Sequence, residues 1–320
     1  MDKRDIAKRV INTEAQALIK VAENLGDSFD KFVDAIIECQ GKIIFIGMGK
    51  SGHVASKMAA TMSSLGTCAI CVHPAECMHG DLGMIQSNDV VVLISYSGES
   101  DEIKGIIPGI RRIGAKMLGI TFNPNSTLAK NVSICQIFDK ISEACHLGLA
   151  PTTSTTIVMA FGDAVAVAIA ESNGFSKDDF GAFHPAGALG KRLIIRSVDL
   201  MVPVVAKYIL NSKSTVLDAI TAMTETGLDV IMVADARGHL SGIISNGEVQ
   251  RLMESGVDVM SEIVPAIKKK FPIFIDSSAK AVEALQIMTD NEIHAMPVVN
   301  EEKVLGVIRK EDIVKAGITI

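Results

Sequence analysis

The sequence has no tryptophan, two tyrosines and only 4% aromatic residues, so it offers no platform on which nucleic-acid bases could stack. Neither sign of charge dominates. Thirty-one basic against 37 acidic residues leave a net charge of -6, without the basic footprint that binds phosphate backbones, and no nucleic-acid partner is expected. Long uncharged hydrophobic runs are missing as well. Mean hydropathy is high at +0.34, but the most apolar stretch, Thr155 to Ala170, contains Asp163 and is too short to span a bilayer. It reads as a buried helix, and no membrane partner is expected. The opening Met1-Asp-Lys-Arg-Asp5 is mixed in charge and leads into no secretory core, so a cytoplasmic location is expected. The cysteines (Cys39, Cys68, Cys71, Cys77, Cys135, Cys145) lie mostly in apolar runs, the pattern of reduced core thiols. Cys68-Ala-Ile-Cys71 has zinc-knuckle spacing, yet no second pair follows, and a strand would put the two thiols on opposite faces.

What is present is a globular chain of about two domains, 320 residues with 48% apolar and 21% charged. The first forty residues predict two helices. Ile6, Val10, Ala15, Leu18, Ile19 and Val21 form one apolar stripe, and Phe29, Phe32, Val33, Ile36 and Ile37 another. From Lys42 the texture becomes short apolar runs, each ending in a Gly- or Ser-rich turn and a helix. Ile43 to Ile46, Val90 to Ser95, Met117 to Thr121 and Ser133 to Phe138 are the expected strands. Alternating strands and helices imply a doubly wound parallel α/β sheet, flavodoxin- or Rossmann-like, with its ligand site at the C-terminal strand ends.

After about Arg196 an internal repeat begins. Val216 to Met223 aligns with Ala281 to Met288, Val230 to Val233 with Ala295 to Val298, and Gly242-Ile-Ile with Gly306-Val-Ile. Each unit reads as a helix, two short strands and a closing helix, and the two units are expected to pack on each other. The expected domains are 1–196, 197–257 and 258–320, the last two an α+β pair.

Gly47-Met-Gly49-Lys50-Ser51-Gly52 follows a buried strand and opens a helix, where free amides and the dipole favour an anion. Its spacing is neither a Walker A loop nor a full G-x-G-x-x-G, and a tight glycine turn explains it equally well. A second strand end, Ser95-Tyr-Ser97-Gly-Glu-Ser100, supplies three hydroxyls, although Ser100 also fits an ordinary N-cap. Together the two turns could cradle one phosphate monoester. Lys50 at a helix start opposes the dipole unless an anion compensates it.

These turns, with His73-Pro-Ala-Glu76, His79-Gly-Asp-Leu-Gly-Met84, Leu149-Ala-Pro-Thr-Thr-Ser-Thr-Thr156 and His184-Pro-Ala-Gly-Ala-Leu-Gly190, resemble a sugar isomerase (SIS) domain followed by a tandem cystathionine-beta-synthase-type (CBS) pair. More narrowly, the chain is similar to the D-arabinose 5-phosphate isomerase family over essentially its whole length. That resemblance implies an aldose-ketose isomerase acting on a sugar phosphate. It would interconvert D-ribulose 5-phosphate and D-arabinose 5-phosphate through an enediol and supply Kdo synthesis for lipopolysaccharide or capsule. It also implies a homotetramer.

The resemblance carries catalytic relevance onto Lys50, Glu102, Glu143 and His184, and substrate or phosphate binding onto Gly49, Ser51, Ala75, His79, Ser95, Ser97, Ser100 and His146. The reaction needs a base, a phosphate anchor and charge stabilisation for the enediol. Glu143 sits among apolar or small residues, so desolvation is expected to raise its pKa toward that of a working base. Glu102 is the alternative base, or else a first-turn acid that helps the dipole. His184, in a loop before Pro185, would open the sugar ring or assist proton transfer, and in SIS proteins such a histidine can come from a neighbouring subunit. His146, beside Cys145 and Leu147, is expected to line the sugar.

His79, with His73, Glu76 and Asp81 nearby, could hold a divalent metal through nitrogen and oxygen ligands, and the resemblance implies zinc there as an inhibitor, with no cofactor required. In the CBS pair the usual ribose-binding pattern is degraded, at Ser245-Asn-Gly-Glu248 and Arg309-Lys-Glu-Asp312. A structural, oligomer-stabilising role is expected ahead of a nucleotide or sugar-nucleotide effector. Lys268-Lys-Lys270 reads as a solvated face or an anion contact. The rival readings are a non-catalytic sugar-phosphate sensor and an isomerase of another phosphosugar.

Overall fold

The computed structural model describes residues 2–185, 187–256, 258, 260, 264 and 272–320. They form two compact units, divided after Phe180. Lys268 to Lys270, the expected junction between the two repeats at 257/258, and Ala186 fall wholly or partly outside the described residues.

The first unit opens with α1 (Lys3–Glu23) and α2 (Asp27–Ile37). Helix α2 buries Phe32, Val33, Ala35 and Ile36. No residue of α1 is buried: Ala17, Leu18 and Val21 lean on the core, while Ile6 and Ile19 of the expected stripe stay exposed. Next come β1 (Ile43–Gly47), α3 (Lys50–Ser64), β2 (Ala69–Val72), α4 (Pro74–Met78), β3 (Val90–Ile94), α5 (Asp101–Ile113), β4 (Lys116–Thr121), α6 (Thr127–Asn131), β5 (Ile134–Ile137) and α7 (Thr153–Ser172). The strands form one parallel sheet in the order β2-β1-β3-β4-β5. Every residue of β1 and β3 is buried, as expected of central strands covered on both faces. Alternation sorts them: Phe45, Val92 and Ile94 join Met58 of α3 and Phe161 of α7, whereas Ile44, Ile46, Val91 and Leu93 join Ile103 and Ile106 of α5. Helix α7, long and apolar enough to cross a membrane by length and composition, instead packs Ile157, Phe161 and Val165 into this core.

The thiols depart from expectation. Only Cys77 is buried; Cys68 and Cys71 are exposed, because β2 is an edge strand, and the rest are intermediate.

In the second unit, α8 (Lys177–Phe183), which straddles the division, leads to α9 (Ala188–Ile194), α10 (Ser197–Leu200) and β6 (Val202–Pro203). The first repeat holds α11 (Val216–Thr226), β7 (Val230–Ala234), β8 (Leu240–Ser245) and α12 (Asn246–Glu254). The second holds β9 (Ile275–Asp276), α13 (Ala281–Asp290), β10 (Ala295–Asn300), β11 (Lys303–Arg309) and α14 (Lys310–Lys315). The parallel bridge Leu210 to Val233 is repeated by Ile275 to Val298. Val307 of β11 sits in the first repeat's core, so the two repeats share one interior. The division falls before the boundary expected near Ser197, because the preceding segment docks on the second repeat. The Ile195 carbonyl accepts from Ala281 N at 2.8 Å, Ser197 N donates to the Ala279 carbonyl at 2.8 Å, and Lys191 Nζ donates to the Ala316 carbonyl at 3.0 Å.

Candidate active site

The strand order reverses between β1 and β3, since β1 leads outward to β2 and the chain then returns to β3 on its other side. A crevice opens at the carboxyl ends of such a pair. It is met here by the two turns that the sequence singled out.

After β1, Gly49 caps α3 with φ of +59°, a left-handed conformation that favours glycine. A Cβ on Gly52 would lie 2.5 Å from the Gly47 carbonyl oxygen, so that glycine permits the close strand-to-helix approach. Helix α3 has no side-chain cap and no acidic residue in its first turn, which leaves its N-terminal amides without a negative partner from these positions. Lys50 occupies the first helical position, exposed and without an ion pair among the described residues.

After β3, Ser95 Oγ and Ser100 Oγ lie 3.0 Å apart, and Gly98 N donates to Ser95 Oγ at 3.1 Å. Ser100 stands at the N-cap of α5 but makes no cap hydrogen bond, so the ordinary-cap explanation does not apply. Ser97 Oγ accepts from Glu99 N at 3.2 Å. Glu99 turns away from the loop: its carboxylate accepts from Thr127 N at 2.6 Å and Thr127 Oγ1 at 3.0 Å, which hold its pKa below the usual range.

Between these turns lies a cavity of about 500 Å³, lined by Lys50, Ser51, Tyr96, Lys140, Glu143 and Ser154 among others. Glu143 is fixed at the start of α7. Oε2 accepts from Thr152 N (2.8 Å), Thr152 Oγ1 (3.1 Å) and Ser154 N (3.3 Å), and Oε1 accepts from Ser154 Oγ. Burial pushes its pKa up, but the Ser154 hydroxyl, the Thr152 and Ser154 amides and the Thr152 hydroxyl outweigh it and hold the carboxyl below its usual range. The expected upward shift is therefore corrected: residues 152–154 fold back onto a carboxylate that looked merely desolvated. Tyr96 stacks on Phe122, with ring centroids 4.7 Å apart, and burial followed by the Glu143 charge pushes its phenol up, so it stays neutral.

The structure thus brings Lys50, Ser51 and Glu143 to one cavity, whereas Gly49, Ser95, Ser97 and Ser100 stand in the adjoining turns and are not among its lining residues. Glu102 is half-buried in the first turn of α5 and does not line it. His146, expected to line the sugar, is exposed and is not among the residues that line this cavity. Ala75 lies within the short α4, where its N donates to His73 Nδ1 at 3.3 Å, and His79 caps the helix's C-terminus, exposed. Among the described residues no three His, Cys, Asp or Glu side chains gather to hold a metal, so His73, Glu76, His79 and Asp81 form no ligand set within the chain. His184 belongs to the second unit, where a Cβ on Gly190 would come within 1.7 Å of its carbonyl oxygen. Sequence reasoning missed Tyr96, Lys140, Thr152 and Ser154 as site residues. The signal for the last two was a hydroxyl run at the start of the apolar α7.

In the second unit, Ser245 and Glu248 close a capping box on α12, and Arg309 grips Asp312 through Nε (2.6 Å) and Nη2 (3.0 Å). A cleft of about 260 Å³ is lined by Asp229, Ser245, Glu248, Ile293 and His294 among others.

The SIS domain model matches residues 36–168 and the CBS domain model residues 258–318. The arabinose 5-phosphate isomerase KdsD of Pseudomonas aeruginosa is 38% identical over 318 residues, covering 98% of this chain and 96% of its own length. Its namesake in Yersinia pestis is 36% identical over 318 residues, covering 99% and 97%. A solved structure of an E. coli CFT073 protein in complex with arabinose 5-phosphate is 40% identical with a TM-score of 0.56, over 58% of this chain and 100% of that one. At such identity over nearly the full length, the chain belongs to the arabinose 5-phosphate isomerase family, with an SIS domain followed by CBS sequence.

Proposed function

We propose that the chain interconverts D-ribulose 5-phosphate and D-arabinose 5-phosphate, with Glu143 as the base. The observation that carries this reading is the cavity at the sheet's switch point, which an ionised Glu143, Lys50 and Ser51 all line. Phosphate is held by Ser51, Ser95, Ser97 and Ser100 with their turn amides, and the α3 dipole favours its charge. Glu143 takes the proton from the sugar C2 of the aldose. The C–H electron pair becomes the enediolate double bond, and the carbonyl oxygen takes up the negative charge opposite Lys50. The same carboxyl returns the proton to C1, while the hydroxyl proton passes from O2 to O1. No metal or redox cofactor enters this balance. His184 assists ring opening, with a neighbouring subunit of a homotetramer as its source.

The product feeds Kdo synthesis for lipopolysaccharide or capsule, in the cytoplasm. The CBS pair stabilises the assembly; Asp312, engaged by Arg309, is poorly placed to take a ribose. The test is incubation with D-ribulose 5-phosphate in deuterated water, followed by NMR. Arabinose 5-phosphate carrying deuterium at C2, lost in Glu143→Gln, is the expected result. Tight binding without turnover would establish a sensor instead.

A further inference from the structure

We infer that Ser154 is a positioning residue for the isomerase base: its hydroxyl holds Glu143 Oε1 as the proton-accepting atom. The inference rests on the reading of Glu143 as the base. The two carboxylate oxygens are not equivalent. Among the described residues, Oε2 receives three hydrogen bonds, from Thr152 N, Thr152 Oγ1 and Ser154 N, whereas Oε1 receives only the Ser154 hydroxyl. Oε1 therefore keeps the larger share of its acceptor capacity for a substrate proton. Ser154 is itself buried, at 4% exposure, and stands in the first turn of α7, so its hydroxyl is held by a rigid element.

Other charged and titratable groups face the cavity that Glu143 lines, or bond beside it, from the neighbouring elements. Lys50 comes from α3, Tyr96 from the turn after β3 and Lys140 from its own loop. Arg9 of α1 donates to the adjacent Ala144 carbonyl at 3.0 Å. All four are retained in Ser154→Ala, so a shift in that variant reports the lost hydroxyl.

The experiment follows the Glu143 carboxyl by carbon-13 NMR, assigned by its loss in Glu143→Gln, alongside the pH profile of kcat/KM. In Ser154→Ala both midpoints should rise together by about one pH unit, a tenfold change in proton affinity of the size one hydrogen bond to a charge supplies. Ser154→Cys, which keeps the side-chain volume but donates weakly, should fall between. An unmoved carboxyl titration in both variants overturns the inference while the base assignment stands. Full isomerase activity in Glu143→Gln overturns the base assignment and the inference with it.

Discussion

Ser100 Oγ lies 3.0 Å from Ser95 Oγ and makes no cap bond to α5. A hydroxyl at an N-cap that does not cap is available to an anion in the same turn. Ser100→Ala is therefore expected to raise KM for the sugar phosphate on the order of tenfold to hundredfold, the loss of one charge-assisted hydrogen bond. It should leave thermal stability nearly unchanged. Ser126 is the control, because its hydroxyl does cap, accepting from Ala129 N at 3.2 Å. Ser126→Ala should cost about 1 kcal/mol in denaturant unfolding. Equal destabilisation by the two substitutions would show that Ser100 is an ordinary cap.

Lys50 is a cation at the positive end of α3, where it opposes the helix dipole. On the proposed mechanism, an anionic substrate and the developing enediolate charge compensate it there. Lys50→Met should stabilise the unliganded protein by about 0.3–1 kcal/mol and lower kcat by roughly a hundredfold. Unfolding and steady-state kinetics on the same preparation check the opposed signs, and loss of both stability and activity would indicate a structural lysine.

The sheet was legible in the sequence because its central strands are buried on both faces, and continuous apolar runs such as Ile43 to Ile46 have no other reading in a chain of this texture. The turns after β1 and β3 were legible for a related reason: glycine and serine cluster where a strand must stop and a helix begin. Helix α1 was misjudged in part, since its pattern cannot say which apolar positions pack within one chain, and Ile6 and Ile19 do not. The state of Glu143 was not legible, because its partners come from residues 152–154 and a carboxylate among small residues looks desolvated until that return is seen. Tyr96 lay between two noted serines, but only the stack on Phe122 reveals its placement on the cavity wall.

At the opposite end of the sheet, Asp89 is 2% exposed and accepts from Lys42 N (2.9 Å), Lys42 Nζ (2.7 Å) and Gln86 N (2.7 Å). Burial pushes its pKa up, but the Lys42 ammonium and the two amides outweigh that and hold it below the ordinary 3.8. A depressed folded-state pKa gives stability that is complete above the unfolded value and lost as pH falls through the folded one. Unfolding free energy should thus decline below about pH 4, and less steeply in Asp89→Asn. At neutral pH that variant should cost about 1–2 kcal/mol, since it removes the counter-charge of a Lys42 side chain that water still partly reaches. A variant as stable as the parent at pH 7 would show that the pair contributes nothing.

Ser197 is fully buried at the start of α10, and its hydroxyl finds no hydrogen-bond partner among the described residues. A buried hydroxyl left unpaired carries its desolvation cost with no return, on the order of 1–3 kcal/mol. Its backbone does the holding there: Ser197 N donates to the Ala279 carbonyl at 2.8 Å, and the Ser197 carbonyl accepts from Met201 N at 3.1 Å. Ser197→Ala keeps both bonds and removes only the orphaned oxygen. It should therefore raise the unfolding midpoint of the second unit, by about 1 kcal/mol of stability, without changing isomerase kinetics. A loss of stability instead would mean that the hydroxyl has a partner in solution, such as a buried water, and crystallography of the two forms would locate it.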